Sequence, residues 1–331
     1  MTGLLNVAAP PHLRSRHTYQ RAVWVVVLAL MPAFIYGLAI FGDRAALVTG
    51  SSILACIASE ALFQLSRRQK VTIADGSAFL TGFLLALNLP PAVPLWLPIG
   101  GGFFAVIVVK QLFGGLGHNL FNPALAARAF LLISWPGLMT TGWLPPSGGT
   151  LSGLDSVTGA TPLTILKSPF LYGDPVSVLN QLNGWPALRH VFFGNIGGCI
   201  GETSALLLLI GGLFLLITGI ADYRIVLGYF AGFMLLGLLL LNRVNIGFSV
   251  FTGGLMLGAL FMATDWVTSP VTRNGRWIFG AGCGVLTVLF RRWGVYPEGV
   301  SFAILIMNMF TPLLDRLTRE RIFGSRKESI K

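Results

Sequence analysis

Residues 119–128 read NLFNPALAAR and residues 308–316 read NMFTPLLDR. Asn119 matches Asn308, Phe121 matches Phe310 and Pro123 matches Pro312, each pair 189 positions apart. A second pair lies upstream of these, SAFLTGFLLAL (77–87) and SVFTGGLMLGAL (249–260). Ser77 matches Ser249, and each serine is followed by Phe, Thr-Gly and an apolar run. A pattern used twice points to a duplicated unit, and its meaning depends on where the four segments lie.

Composition locates them. The 331-residue chain is 54% hydrophobic and only 11% charged, with a mean hydropathy of +0.76. A soluble domain carries about 25% charged residues. A chain this poor in charge cannot cover itself with a water-facing surface, so it reads as an integral membrane protein. The net charge of +11 does not mark a nucleic-acid binder, because Lys and Arg sit in short loops between apolar runs and not on one soluble face. The N-terminal stretch MTGLLNVAAPPHLRSRHTYQR is polar and has no apolar run before Val23, unlike a cleaved signal peptide.

A membrane helix needs about 20 predominantly apolar residues. Ten candidates run roughly over 22–41, 45–65, 76–90, 94–113, 121–135, 193–219, 224–242, 246–264, 276–291 and 298–315. The third and fifth are short, with Gly, Asn or Pro near an end, and are expected as broken or re-entrant helices. With both termini in the cytoplasm, sixteen of the 23 Lys and Arg fall inside, six fall outside and Arg128 falls in a span. The positive-inside rule therefore favours that orientation. The matched segments occupy spans five and ten, and spans three and eight. Units of five spans, an odd number, insert with opposite orientation, which is an inverted repeat. The expected fold is an all-α integral membrane protein of ten transmembrane helices in two inverted five-helix repeats. Its divisions are a cytoplasmic segment 1–22, a first repeat 23–135, an outer loop 136–192, a second repeat 193–315 and a basic cytoplasmic tail 316–331.

Glu60, Asn88, Asn119, Asn122, Arg128, Glu202, Asp265 and Asn308 lie within spans or at their ends. A charge in lipid costs at least about 2.5–3.5 kcal/mol, so each must face a partner or water. Internal pairs, helix caps, cofactor contacts and an ion route all remain open for them. Cys56, Cys199 and Cys283 each lie in an apolar run without metal-ligand spacing, so they read as packing residues and no metal site is expected.

The outer loop carries DSVTGATPLT (155–164). Four hydroxyls, on Ser156, Thr158, Thr161 and Thr164, appear without His, Cys or Lys among them. His190 is the one histidine in that loop and no GxSxG elbow is present, so no catalytic residue is read here. A plain turn is one reading, with Gly159 and Pro162 as turn residues. The other is a modification site, activated in trans, with Gly159 and Ala160 keeping the strand thin.

The run fits Asp-x-x-(Ser/Thr)-Gly-Ala-(Thr/Ser). It resembles the site where a dedicated flavin transferase attaches FMN, from FAD, through its phosphate to the last hydroxyl, here that of Thr161. Asp155, Thr158, Gly159 and Ala160 would be the transferase's recognition motif. With the span count, the loop position and NLFNPA after span four, nearly the whole chain resembles the family containing the D subunit of the Rnf complex and the B subunit of the sodium-pumping NADH:quinone reductase. Thr158 stands where that family often has Ser. The short stretch before span one favours the Rnf branch, since the quinone-reductase member usually carries a longer extension.

The resemblance implies a membrane subunit of a multi-subunit complex that moves electrons between ferredoxin and NAD and couples this to Na+ or H+ translocation. It implies FMN on Thr161, a second non-covalent flavin (riboflavin or FMN) among the spans, and a urea- and ammonium-channel-like bundle. It implies partners in the A, B, C, E and G subunits of the Rnf complex and in the transferase, with a bacterial inner membrane as the location and the flavin loop periplasmic. The chain would be part of an ion-translocating oxidoreductase but catalytically incomplete alone, since it has neither a dinucleotide fingerprint nor iron–sulfur spacing. Lys167 and Arg189 are candidates to stabilise a reduced flavin, or are ordinary loop solvation. The competing readings are the B subunit of a quinone reductase, a channel or transporter of the same fold, and a scaffold with a silent motif.

Overall fold

Thr18 starts the first helix, its hydroxyl accepting from Arg21 N at 3.4 Å. A computed structural model describes residues 18–141, 189, 192–194, 198–241, 243–294, 296 and 299–319. The motif Asp155, Thr158, Gly159, Ala160 and Thr161 lies outside the described residues, as do Lys167, residues 1–17 and residues 320–331.

The described chain is all helical. α1 (Tyr19–Phe41) turns through Gly42 into α2 (Asp43–Ser66). α3 (Ser77–Leu87) is short, and the proline-rich NLPPAVP that follows cannot continue it. α4 begins as Trp96–Phe103 and loosens into a π-helix over Phe104–Gln111. Asn122 caps α5 (Pro123–Ser134), its Oδ1 accepting from Ala124 N at 3.1 Å and Leu125 N at 3.3 Å with Pro123 at the first position. α6 (Pro136–Thr141) follows.

Next come α7 (Ala205–Ile217), α8 (Tyr223–Leu240), α9 (Arg243–Phe251) and α10, which runs Leu255–Leu257 and then as a π-helix Gly258–Met262. α11 (Arg273–Trp293) and α12 (Val300–Leu317) complete the bundle. Four helices, α1, α2, α8 and α12, are long and apolar enough to cross a membrane by length and composition. α3, α4, α5 and α7 are shorter apolar helices.

The boundaries differ from the sequence reading in instructive places. The stretch 246–264 is not one span: Gly253 (φ 65°) and Gly254 (φ 69°) break it between α9 and α10. Within the sixth stretch the helix α7 begins at Ala205, and residues 199–202 before it serve another purpose. Ile200 N donates to Leu89 O at 3.2 Å and Gly201 N to Leu87 O at 2.9 Å. These bonds take up carbonyls that α3 orphans where it stops, and unpaired backbone groups are costly in an apolar interior. A Cβ on Gly201 would come 2.6 Å from Leu87 Cβ, so only glycine makes that approach.

α8 and α11 form the tightest helix pair through small residues, as membrane helices do. A Cβ on Gly228 would sit 2.9 Å from Trp277 O, and one on Gly284 would strike Tyr229 O. Tyr229 Oη and Thr287 Oγ1 meet at 2.6 Å across the same contact. α2 and α3 also approach closely, with a Cβ on Gly82 falling 2.7 Å from Ile53 Cα. α1 packs on α7 and α5 on α12, so the early and late halves of the chain interlock.

Gly284→Ala should therefore cost about 1–3 kcal/mol by overpacking. Gly100→Ala, with open space around it, should stay within about 0.5 kcal/mol of wild type. Unfolding in detergent, followed by tryptophan fluorescence, compares the two.

Candidate functional site

The polar residues that the sequence places in apolar spans gather in two buried clusters and one cavity. Where α2 ends and α3 begins, Lys110 Nζ bonds Glu60 Oε1 at 2.8 Å and Ser77 Oγ at 2.6 Å. Gln111 and Gln64 add to the same Glu60 oxygen at 2.8 and 3.3 Å. Ser77 passes its own proton to Asp75 Oδ1 at 2.6 Å, which also caps α3 through Ser77 N. The π-turn of α4 carries Lys110 and Gln111, setting both toward Glu60. Glu60 Oε2, fully buried, has no hydrogen-bond partner among the described residues.

The second cluster crosses the middle of the bundle and centres on Arg128 of α5. Its Nε donates to Asn88 O at 3.0 Å, its Nη1 to Ser301 Oγ at 2.6 Å, and its Nη2 lies 3.9 Å from Cys199 Sγ. Cys199 donates to the same Asn88 carbonyl at 3.3 Å. One guanidinium thus joins the end of α3, the segment before α7 and the start of α12. On one side of it, Asn88 reaches Leu84 O at 2.7 Å and Met262 Sδ at 3.5 Å, and Asn122 reaches Met262 O at 3.4 Å. The amide of Asn308 bridges there, accepting from Asn122 N at 3.2 Å and donating to Ile304 O at 3.3 Å. On the other side stands Glu202, whose carboxylate feels both Arg128 and Arg291 and lies against Gly254.

Arg291 of α11 holds the break between α9 and α10. Its Nη1 donates to Ser249 O, and its Nη2 to Thr252 O at 2.9 Å and Gly253 O at 3.3 Å. Its guanidinium also lies 5.3 Å from the Phe233 ring, a cation–π contact. Lys110 and Arg291, counted among loop charges in the sequence, are thus buried side chains. Each serves a broken helix, and no loop.

Below Asn122, at the end of the bundle where α1 starts, a cavity opens between Tyr19, Thr81, Asn122, Thr264, Asp265 and Trp266. Trp266 is pinned by Nε1 donating to Ile220 O at 2.6 Å. Burial pushes the Asp265 carboxyl above its ordinary range, opposed by the Thr268 hydroxyl and the backbone N–H groups of Val267 and Trp266. Tyr and Trp rings with several hydrogen-bonding groups in an otherwise apolar lining make a place for a planar, heteroatom-bearing ligand.

The remaining candidates divide plainly. Asn119 is a local cap, its Nδ2 donating to Phe121 O at 3.0 Å. Arg189 is exposed. Cys56, Cys199 and Cys283 are free and buried. No group of three His, Cys, Asp or Glu among the described residues could hold a metal ion. The sequence passed over Lys110, Ser301, Met262, Tyr19 and Trp266. Only the Ser77–Ser249 match hinted that one of these regions mattered.

Half-length helices ending on buried cations, beside full spans, define a multi-pass membrane protein with a polar interior. The profile of the NQR2, RnfD, RnfE family matches residues 6–324, and the chain belongs to that family. It is 44% identical over 324 residues to the D subunit of the Na(+)-translocating ferredoxin:NAD(+) oxidoreductase complex of Acetobacterium woodii, covering 98% of this chain and 96% of that protein. It is 41% identical over 330 residues to the D subunit of the proton-translocating ferredoxin:NAD(+) oxidoreductase complex of Clostridium ljungdahlii, covering 98% and 97%. The D subunit of the ion-translocating oxidoreductase complex of Stutzerimonas stutzeri is 44% identical over 336 residues, covering 93% of each chain.

Lys110 and Glu60 are 3% and 1% exposed, so breaking the pair strands a buried charge. Lys110→Met should destabilise by about 3–5 kcal/mol. Adding Glu60→Gln should restore most of the loss, and a double-mutant cycle of thermal unfolding measures the coupling.

Proposed function

We propose that this chain is the D-type membrane subunit of an ion-translocating ferredoxin:NAD oxidoreductase complex, carrying FMN on Thr161 and passing electrons between partner subunits. The observation that carries the reading is near-full-length identity of 41–44% to the D subunits of two such complexes. The sequence Asp155-Ser-Val-Thr158-Gly159-Ala160-Thr161 supplies the attachment pattern in this chain itself. When bound, FMN supplies one- and two-electron redox chemistry, while the protein supplies position and electrostatics. Attachment through phosphate keeps the cofactor at an exposed loop from which it would otherwise diffuse. Ferredoxin and NAD fall to the other subunits, with the A, B, C, E and G subunits as the partners. The chain is then one part of a translocase of the bacterial inner membrane, coupled to Na+ or H+.

On this reading the chain has ten spans in two inverted halves, with the termini cytoplasmic and the flavin loop periplasmic. Ser77 and Ser249, paired by sequence, each receive the cation of the fourth span in their half, Lys110 on the Ser77 hydroxyl and Arg291 on the Ser249 carbonyl. The second-span residue beside each cation is Glu60 in one half and Phe233 in the other. A second, non-covalent flavin, riboflavin or FMN, would find partners for its ring heteroatoms in Asn122, Thr81 and Thr264 if it entered the cavity between Tyr19 and Trp266.

Co-expressed with a flavin transferase and run on a denaturing gel, the wild-type chain should fluoresce under ultraviolet light. Thr161→Ala should go dark while its helical circular dichroism is unchanged. A dark wild-type band, with the transferase active on a control, returns the chain to the channel or scaffold class. Asp155→Ala should lower loading when the transferase is limiting, and full loading there would remove Asp155 from the recognition pattern. Flavin released from purified Thr161→Ala by acid precipitation reports the second site, and none released would remove it.

A further inference from the structure

We infer that the cavity between the α7–α8 turn and the segment before α11 is a seat for the phosphate of an anionic phospholipid headgroup. The inference rests on the membrane class of the chain and not on the flavin reading. The cavity, of about 390 Å3, is lined by Gly219, Asp222, Tyr223, Ser269, Pro270 and Arg276 among others. Trp266 and Ile220 line both it and the cavity beside Tyr19, so that their hydrogen-bonded pair walls the two apart.

Asp222 organises the basic side. Its Oδ1 caps α8 by accepting from Arg224 N at 2.8 Å. Its Oδ2 accepts from Nη1 of Arg224 at 3.3 Å and from Nη1 of Arg276. Arg276 Nε donates to Pro270 O at 3.0 Å. Two guanidinium groups therefore share one carboxylate, and the Nη2 of each has no hydrogen-bond partner among the described residues. Ser269 is 8% exposed and lines the cavity, and its hydroxyl has none among them either. The other acids nearby are occupied. Asp315 accepts from Val271 N, Thr272 N and the Thr272 hydroxyl, and Asp265 faces the neighbouring cavity and accepts from the Thr268 hydroxyl. Unused donors on two arginine forks and a serine suit an anion with several oxygens, and phosphate is the group that such forks match.

The surroundings select a lipid over a soluble phosphate. Tyr223, Trp266 and Trp277 are exposed at or beside the cavity, and the Tyr223 ring meets Trp277 edge to face. Exposed Tyr and Trp among arginines mark the level where a membrane meets water. Leu213 and Ile217 of α7 are exposed one turn apart leading up to the turn, and Leu227 of α8 is exposed just after it. A headgroup in the cavity would thus lay its acyl chains along an apolar helix face. Basic pockets between membrane helices hold anionic headgroups in this way.

The full-length chain in detergent is titrated with phosphatidylglycerol, or with phosphatidylcholine of the same acyl chains, and bound lipid is counted by native mass spectrometry. Wild type should hold phosphatidylglycerol about fivefold more tightly or better. Arg224→Gln, Arg276→Gln and Ser269→Ala should each weaken phosphatidylglycerol about fivefold and leave phosphatidylcholine unchanged. Asp222→Asn keeps a cap for α8 and removes the competing charge, so it should bind phosphatidylglycerol more tightly. Arg319→Gln, on the exposed end of α12, should bind as wild type does. Inorganic phosphate at the lipid's own concentration should displace none of it.

The inference falls if wild type holds the two lipids equally, or if the arginine and serine variants elute and bind as wild type does. Displacement by equimolar phosphate also overturns it, since the seat would then take a free anion. Should Arg276→Gln fail to fold, Ser269→Ala and Asp222→Asn decide: opposite shifts in affinity support the seat, and no shift in either overturns it.

Discussion

A helix that stops inside an apolar bundle leaves its last carbonyls without partners, and no water is there to take them. Each such group costs several kcal/mol if unpaired. Much of this structure follows from that constraint. α3 ends at Leu87, and the carbonyls of Leu87, Asn88 and Leu89 at and just past its end are taken by Gly201 N, the Arg128 side chain and Ile200 N. α9 ends at Phe251, and Arg291 takes the carbonyls of Ser249, Thr252 and Gly253. The donors come from distant parts of the sequence, so satisfying the breaks also fixes how the early and late elements sit on each other. The broken helices are therefore the joints of the fold, and the cations are their pins.

Pinning with cations has an electrostatic consequence that differs between the two pins. Lys110 is neutralised by Glu60, which also collects Gln64 and Gln111 on one oxygen. Arg291 has the face of Phe233 where Lys110 has a carboxylate. A ring quadrupole attracts a cation but does not cancel its charge. Lys110 thus sets its charge directly against a carboxylate, whereas Arg291 spreads its contacts over backbone carbonyls and a ring face, with Glu202 within its field.

How much of this could be read beforehand depends on the range over which each signal acts. The membrane class followed from composition, and the shortness of α3 from the prolines after Leu87. The importance of residues 77 and 249 showed in their matched serines. The break at Gly253–Gly254 was missed, because in an apolar run a Gly-Gly pair is as compatible with close helix packing as with an αL turn. Only the approach of Arg291 and Glu202 makes the turn worthwhile. Likewise Lys110 pairs with Glu60 across 50 positions. No periodicity carries that information, and a lysine near a predicted loop is naturally assigned to solvent. The proposed attachment pattern around Thr161 is the opposite case. It is carried by sequence alone, because a transferase acting on such a short motif would need no fold behind it.

The separation of those two kinds of site has its own logic. A modifying enzyme must reach its hydroxyl from water, so an attachment strand belongs in a loop and gains nothing from burial. A buried guanidinium must be desolvated and fully bonded to be tolerated, so it belongs where three elements converge and nothing moves. On the proposed flavin reading, the loop presents the cofactor and the bundle supplies a packed body whose buried cations are held at the helix breaks. An electron can cross a thin layer of packed protein without any polar path, whereas an ion cannot. A closely packed body whose buried polar groups are largely taken up by one another is therefore suited to carry electrons, and ion movement through it would require those groups to exchange their partners for an ion.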